Sequence, residues 1–147
     1  AASFFVPPRC AYTAQVPRLI SESLRDNVLM GLPEERVDLD GAIWLAVMER
    51  DVAEMSDGLD TPLGAKGVRL SGGQARRLAL AWLVLRDAPV VLLDEPFANL
   101  DAATAGTVLE RLRPWLEARS AVIVTHAPQQ LPKTWPRIDL GLDGRFR

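Results

Sequence analysis

The chain has 147 residues, 48% of them hydrophobic, and a formal net charge of −2 from 17 basic and 19 acidic side chains. This is enough for one domain with a real core, and the apolar content excludes a disordered polar chain. The near-balanced charge gives no basis for a general nucleic-acid binder or a binder of anionic membranes. Cys10 is the only cysteine, which excludes an internal disulfide.

In chain order, Pro7, Pro8 and Arg9 interrupt the early apolar residues, so no signal-peptide pattern is present. Ala11–Ala14 reads as a short strand followed by Gln15. Ser21–Met30 reads as a helix capped by Ser21, with Leu24 and Val28 at i,i+4 and Gly31 ending it. After Pro33, apolar residues recur at Leu39, Ala42, Ile43, Ala46 and Val47 with a helical period, and Trp44 and Leu45 widen that face. A second short helix is expected over Val52–Met55, and the Met and Trp residues here read as core. Asp57–Gly67 is a loop rich in turn formers.

Ser71 followed three residues later by Gln74 is a capping box, opening a helix to about Arg86. Gly72 and Gly73 between them leave the first-turn amides approachable, and a helix N-terminus with open amides suits an anion. Arg76 and Arg77 sit where positive charge opposes the helix dipole. They read either as solvated surface residues or as neighbours of an anionic ligand. The longest uninterrupted apolar run, Leu78–Leu85, lies in this helix and is too short to span a bilayer.

Pro89 opens a run of β-formers, Val90–Leu93, that reads as a strand buried on both faces of a parallel sheet. Asp94 and Glu95 follow at its C-terminal end, the edge where ligands of open α/β sheets gather. Adjacent carboxylates there can divide the work, one holding Mg²⁺ through water and one polarising an attacking water. Asp101 is a natural N-cap for a helix carrying Val108, Leu109 and Leu112, which Pro114 is expected to break or kink. Ala121–Thr125 is a second buried-type strand, so this interval is a βαβ unit that brings His126 to the same edge as Asp94. Pro128, Pro132 and Pro136 make the next connection irregular. Ile138–Leu142 reads as one more strand, with Asp143-Gly144 a turn signal.

Taken together, these residues resemble the nucleotide-binding domain of ATP-binding cassette (ABC) proteins. Leu70-Ser71-Gly72-Gly73-Gln74 matches the family's signature motif letter for letter, and Val90–Glu95 matches its Walker B strand with the catalytic glutamate. Ala98-Asn99-Leu100-Asp101 is similar to the D-loop, usually Ser-Ala-Leu-Asp. Tyr12-Thr13-Ala14-Gln15 is similar to the run ending in the Q-loop glutamine, Thr125-His126 to the H-loop, and Asp143-Gly144-Arg145 to the hairpin after it. Ser23–Val28 and the loop with Thr61, Gly64 and Gly67 resemble exporter sequences. Ala65 stands where that loop, the X-loop, usually has glutamate, so the glutamate's coupling contact is not carried over.

The resemblance implies an α/β chain, a partial P-loop NTPase fold with a mainly parallel sheet and a helical subdomain. Residues from about 16 to 86 would hold the Q-loop, helical subdomain and signature helix, and residues from about 87 to 147 the Walker B, D-loop and H-loop part of the core. It implies ATP and Mg²⁺ as ligands, with Asp94 and Gln15 serving Mg²⁺ partly through water. Glu95 would polarise water, and His126 and Gln15 would align the γ-phosphate. Ser71, Gly72, Gly73 and Gln74 would touch ATP held by a second nucleotide-binding domain, with Asp101 in the D-loop. The other implied partner is a transmembrane domain at the cytoplasmic face of the cell membrane, and the implied work is export.

A Walker A loop, G-x-x-x-x-G-K-S/T, is not found: the two lysines, Lys66 and Lys133, lack its context. The resemblance therefore covers the C-terminal part of the family domain. The expected origin is a piece of a longer exporter. A half-site that supplies only the signature motif in trans is the alternative reading, and a soluble ABC ATPase fits the exporter-like segments less well.

Overall fold

The computed structural model describes residues 9–65 and 67–139. Three parallel strands form its sheet: β1 (Cys10–Thr13), β2 (Val90–Asp94) and β3 (Ser120–Val124), in the order β1-β2-β3. Among the described residues five α-helices accompany them: α1 (Leu24–Leu29), α2 (Leu39–Leu45), α3 (Glu49–Glu54), α4 (Gly72–Arg86) and α5 (Ala102–Glu117). The unit β2–α5–β3 is the expected βαβ crossover, and everything from α1 to α4 is carried between β1 and β2.

The register puts Ala11 beside Val91 and Thr13 beside Leu93. All four are buried, and Ala11, Val91 and Leu93 share one core with Leu78, Ala81 and Leu85 of α4 and Val108 and Leu112 of α5. The alternate row, Tyr12, Leu92 and Val122, lies on the other face and is 51%, 38% and 52% exposed. This corrects the expectation that both strands are buried on two faces. Among the described residues α4 and α5 cover one face of the sheet, so the apolar alternation of β2 and β3 is only half used.

Local chemistry explains the helix ends. The α4 capping box is present: the Gln74 N–H donates to Ser71 Oγ at 3.1 Å, and the Ser71 N–H donates to Gln74 Oε1 at 2.9 Å. Asp101 caps α5, accepting the Thr104 N–H at 2.9 Å and its hydroxyl at 2.7 Å. Those two bonds hold the Asp101 carboxyl below its ordinary pKa.

In α1 the cap is Ser23, not Ser21. Asp26, three residues on, returns the capping bond to the Ser23 N–H at 3.3 Å, whereas the residue three after Ser21 is Leu24 and has no acceptor. The second short helix begins earlier than expected, at Glu49. Met48 is fully buried as core, but Trp44 is half exposed and lies under the Arg111 guanidinium, 4.4 Å from it. Pro114 does not break α5, which runs on to Glu117. The proline sits in the last turn, where a missing N–H removes one bond, and buried Leu112 and Leu116 hold the helix on either side of it.

After β3 a short 3-10 turn, Pro128–Gln130, leads into irregular chain. Ile138 and Asp139 are not in a strand, and the rest of the expected strand and hairpin, 140–145, lies outside the described residues, as does Lys66. Among the described residues no helix is long and apolar enough to cross a membrane.

Candidate nucleotide site

The C-terminal edge of the sheet gathers Asp94, Glu95, Thr125 and His126. The chain turns sharply after β2, with Glu95 at φ +48°, a left-handed conformation unusual for a side-chain-bearing residue. Its backbone N–H still donates to the Val124 carbonyl at 2.9 Å, extending the β2–β3 pairing by one bond. The Glu95 carboxylate folds back and is held at both oxygens. Oε1 accepts the His126 backbone N–H at 2.6 Å, and Oε2 accepts the Thr125 hydroxyl at 3.2 Å.

The His126 ring itself is 96% exposed, with Nε2 3.7 Å from Glu95 Oε1. The contacts that orient Glu95 within this chain are therefore the loop amide and Thr125, and the imidazole is free to meet something else. In the sequence Thr125 carries no signal beyond its place in the Thr-His pair. Its hydroxyl also accepts the Ala127 N–H at 3.0 Å, so it braces the loop as well as the carboxylate.

Asp94 is less engaged. Among the described residues its carboxylate receives one long contact, from the Tyr12 hydroxyl at 3.5 Å. No group of three or more His, Cys, Asp or Glu that could cage a metal occurs among the described residues. One open carboxylate at a strand end fits Mg²⁺ of the kind held by one or two carboxylates, water and phosphate oxygens, not a dedicated protein cage.

Arg76 and Arg77 take neither of the two roles expected of them. The Arg76 side chain is buried and passes under the site. It donates to the Glu95 carbonyl at 2.6 Å, reaches the Asp94 carbonyl at 3.5 Å, and donates to the Gln15 carbonyl. Burial lowers its pKa, against the attraction of Glu95 and Asp94. Gln15 is thus brought to the Asp94–Glu95 turn through its backbone, while its residue is exposed.

Arg77 turns the other way, pairing with Asp51 of α3 at 2.6 Å and donating to the Val47 carbonyl. Asp51 also accepts the Gln74 side-chain N–H at 2.8 Å. Both ends of the Gln74 amide are therefore committed inside the chain, to the Ser71 cap and to Asp51. The reason is helical geometry, which sends adjacent residues to different sides of α4.

The signature turn rests on the loop after Walker B. A Cβ added at Gly73 would lie 2.8 Å from the Asn99 carbonyl oxygen and 3.1 Å from Leu100 Cδ2, and Asn99 is itself at φ +63°. Gly73 is glycine because the D-loop backbone occupies its side-chain position. The sequence gives open amides as the reason for a glycine here, and the structure adds this packing. A Cβ added at Gly72 would lie 3.4 Å from the Asn99 side-chain nitrogen, an ordinary contact.

Burial pushes the Asp51 carboxyl up, but the bonds from Arg77 and Gln74 and the Arg77 charge together outweigh it and hold the group below its ordinary pKa. A depressed folded pKa contributes stability that is present above the unfolded value and is lost as pH falls through the folded one. Asp51→Asn is expected to lower stability by about 1–3 kcal/mol at neutral pH, because a mostly buried Arg77 loses its charged partner. Thermal unfolding across pH checks this: the gap between wild type and variant closes progressively below about pH 5.

A second set of contacts ties together the loops beyond Gln15. The buried Asn27 side chain bonds Ile20 at both its N–H (2.8 Å) and carbonyl (3.0 Å). Leu24 N–H donates to the Thr61 carbonyl at 3.0 Å, and Leu63 N–H to the Glu22 carbonyl at 2.9 Å. The segment around Ile20–Leu24 and the loop around Thr61–Leu63 are thus joined, and Val16, Ile20 and Val68, in and beside these segments, are exposed.

Comparison with known proteins gives a consistent answer. The family model described as "ABC transporter" matches residues 5–98. The chain is 37% identical over 123 residues to ABC transporter C family member 3 of Arabidopsis thaliana, covering 83% of this chain and 8% of that one. It is 36% identical over 137 residues to the glutathione/L-cysteine transport system ATP-binding/permease protein CydD of Escherichia coli, covering 92% of this chain and 23% of that one. A solved structure of a bacterial Atm1-family ABC exporter with ATP bound superposes with a TM-score of 0.72 at 26% identity, over 80% of this chain and 21% of that one. The chain thus spans less than a quarter of the length of each of these proteins. With the signature turn, the Walker B strand and the loop at His126 assembled on one parallel sheet, the chain belongs to the ABC transporter family and corresponds to part of its nucleotide-binding domain.

Proposed function

We propose that this chain is part of an ATP-hydrolysing engine that drives export across a membrane. The observation that carries the reading is the Glu95 carboxylate, fixed at both oxygens beside the open carboxylate of Asp94. A carboxylate held this way is a positioned base for an attacking water. Asp94, with Gln15 partly through water, would hold Mg²⁺, which neutralises charge on the phosphates of bound ATP. His126, with its ring exposed next to Glu95, would meet the γ-phosphate.

Ser71, Gly72 and Gly73 present a helix N-terminus suited to phosphate, and in this reading they face ATP held by a second nucleotide-binding domain, with Asp101 and its loop beside that contact. Gln74 supports the same turn through its two internal bonds. In this reading residues from about 16 to 86 would be the helical, signature-bearing part and residues from about 87 to 147 the Walker B, D-loop and H-loop part of the core. The exposed apolar residues Val16, Ile20 and Val68 are candidates for contact with a transmembrane domain, and with that partner the chain would work at the cytoplasmic face of a membrane. The likeness to proteins whose names contain "exporter" and "ATP-binding/permease protein" supports the direction and the partner.

Phosphate release from ATP by the intact transporter tests the reading. It is expected to require Mg²⁺ and to stop when EDTA removes it. An intact transporter that binds ATP but releases no phosphate with Mg²⁺ present would overturn hydrolysis and leave a half-site that acts in trans.

A further inference from the structure

Arg76 is buried, 6% exposed, yet its side chain has no carboxylate within hydrogen-bonding distance among the described residues. A buried guanidinium is normally matched with an acid, because an unmatched charge is costly to desolvate. Here the terminal nitrogens of the planar fork bond backbone carbonyls alone. Its two terminal nitrogens divide between two loops: NH2 bonds the Gln15 carbonyl, and NH1 bonds the Glu95 carbonyl at 2.6 Å and reaches that of Asp94 at 3.5 Å. Nε is buried with no hydrogen-bond partner. The two loops are 80 residues apart in sequence (95 − 15), and β1 and β2 do not themselves extend to pair them: the ladder ends at Thr13 and Leu93.

We propose that Arg76 is a positioning residue that clips the Gln15 loop to the Asp94–Glu95 turn and so fixes where the Glu95 carboxylate stands. The inference rests on the role proposed above for Glu95. Glu95 occupies a left-handed backbone conformation that must be held by its surroundings. Five bonds hold Glu95 in that turn: its N–H donates to Val124, its carboxylate accepts the His126 amide and the Thr125 hydroxyl, and its carbonyl accepts the Ala98 N–H and the Arg76 guanidinium, the bond named last. Only the last connects it to the Gln15 side of the site. Because one rigid group grips both loops, a displacement of the Gln15 loop is transmitted to the Glu95 turn. A lysine would keep the charge but, as a flexible point charge, lacks the planar two-sided grip.

The test uses the intact transporter with Arg76→Gln and Arg76→Lys, each alone and combined with Glu95→Gln. Phosphate release, equilibrium ATP binding and thermal unfolding are the readouts. Arg76→Gln is expected to lower kcat by about tenfold to a hundredfold, as a misplaced catalytic group does, with ATP affinity within about twofold. Arg76→Lys is expected to recover part of the rate. In the Glu95→Gln background, neither change is expected to lower the residual rate further. The proposal is overturned if Arg76→Gln turns over at the wild-type rate, if ATP affinity falls in step with kcat, or if the loss is just as large when Glu95 is already replaced. If Arg76→Gln does not fold, Arg76→Lys carries the same comparison: a wild-type rate, or an equal loss in both backgrounds, overturns the proposal. Should Glu95→Gln alone leave the rate unchanged, the reading of Glu95 fails first, and that outcome is distinct from a normal Glu95 effect with an inert Arg76.

Discussion

Glu95→Gln in the intact transporter is expected to lower steady-state ATP turnover by about 10²- to 10⁴-fold, the range for removing a positioned general base, while ATP binding is retained. The substitution is nearly isosteric, so it tests charge and basicity with little change in shape. In this chain Oε1 accepts the His126 amide at 2.6 Å and Oε2 accepts the Thr125 hydroxyl at 3.2 Å. An amide can present its oxygen to one of these donors. Its NH2 then faces the other position, which the Thr125 hydroxyl can tolerate by turning to accept. The loop is therefore expected to survive, and unfolding midpoints should agree within a few degrees. Phosphate release and equilibrium ATP binding measured on the same preparation separate the two effects. A rate unchanged from wild type would remove Glu95 from the role of base.

Much of this site could be read without coordinates because its signals are local. A serine with a glutamine three residues later, an aspartate before a helix, and an apolar run ending in two acids each describe a structure within one or two turns of chain. The Ser71 and Asp101 caps and the β2–Asp94–Glu95 edge follow from such rules. The α1 cap belongs to the same class: two serines compete for it, and the partner three residues on, Asp26, favours Ser23 over Ser21.

What could not be read is long-range. Arg76 ends on carbonyls of residues 15, 94 and 95, and a carbonyl carries no residue-type signature. Arg77 and Gln74 meet on Asp51, 26 and 23 residues away, and nothing in α3 alone marks that aspartate. The exposed row Tyr12–Leu92–Val122 shows the opposite limit. Sequence reports that a strand is apolar enough to be covered twice, but the covering depends on other elements. Both kinds of information meet at the glycines of the signature turn, where the motif reports the residue type and the fold supplies the reason.

Gly72 and Gly73 are expected to respond very differently to substitution, although the motif treats them alike. At Gly73 a Cβ would sit 2.8 Å from the Asn99 carbonyl oxygen, a backbone atom, and 3.1 Å from Leu100 Cδ2. Asn99 is already in the left-handed region, so the loop has little freedom to withdraw. Gly73→Val adds a branched side chain at this contact. Overpacking of this kind costs about 1–3 kcal/mol, a large share of the roughly 5–15 kcal/mol that holds a domain together. Replacing glycine within a helix offsets about 1 kcal/mol of that at most. At Gly72 the nearest atom is the Asn99 side-chain nitrogen at 3.4 Å, ordinary contact with a group that can rotate. Gly72→Ala is therefore expected to leave the unfolding midpoint unchanged or slightly raised. The functional difference should follow the packing. Displacing the turn from Asn99 moves the Ser71–Gln74 cap relative to Asp101, and a misplacement of about 1 Å can cost about 10²-fold in rate. Thermal unfolding and phosphate release of the two variants in the intact transporter check this. If Gly73→Val unfolds at the wild-type midpoint, the D-loop does not occupy the space assigned to it. If Gly72→Ala is as destabilised as Gly73→Val, the glycines are required for backbone freedom and not for the contact with Asn99.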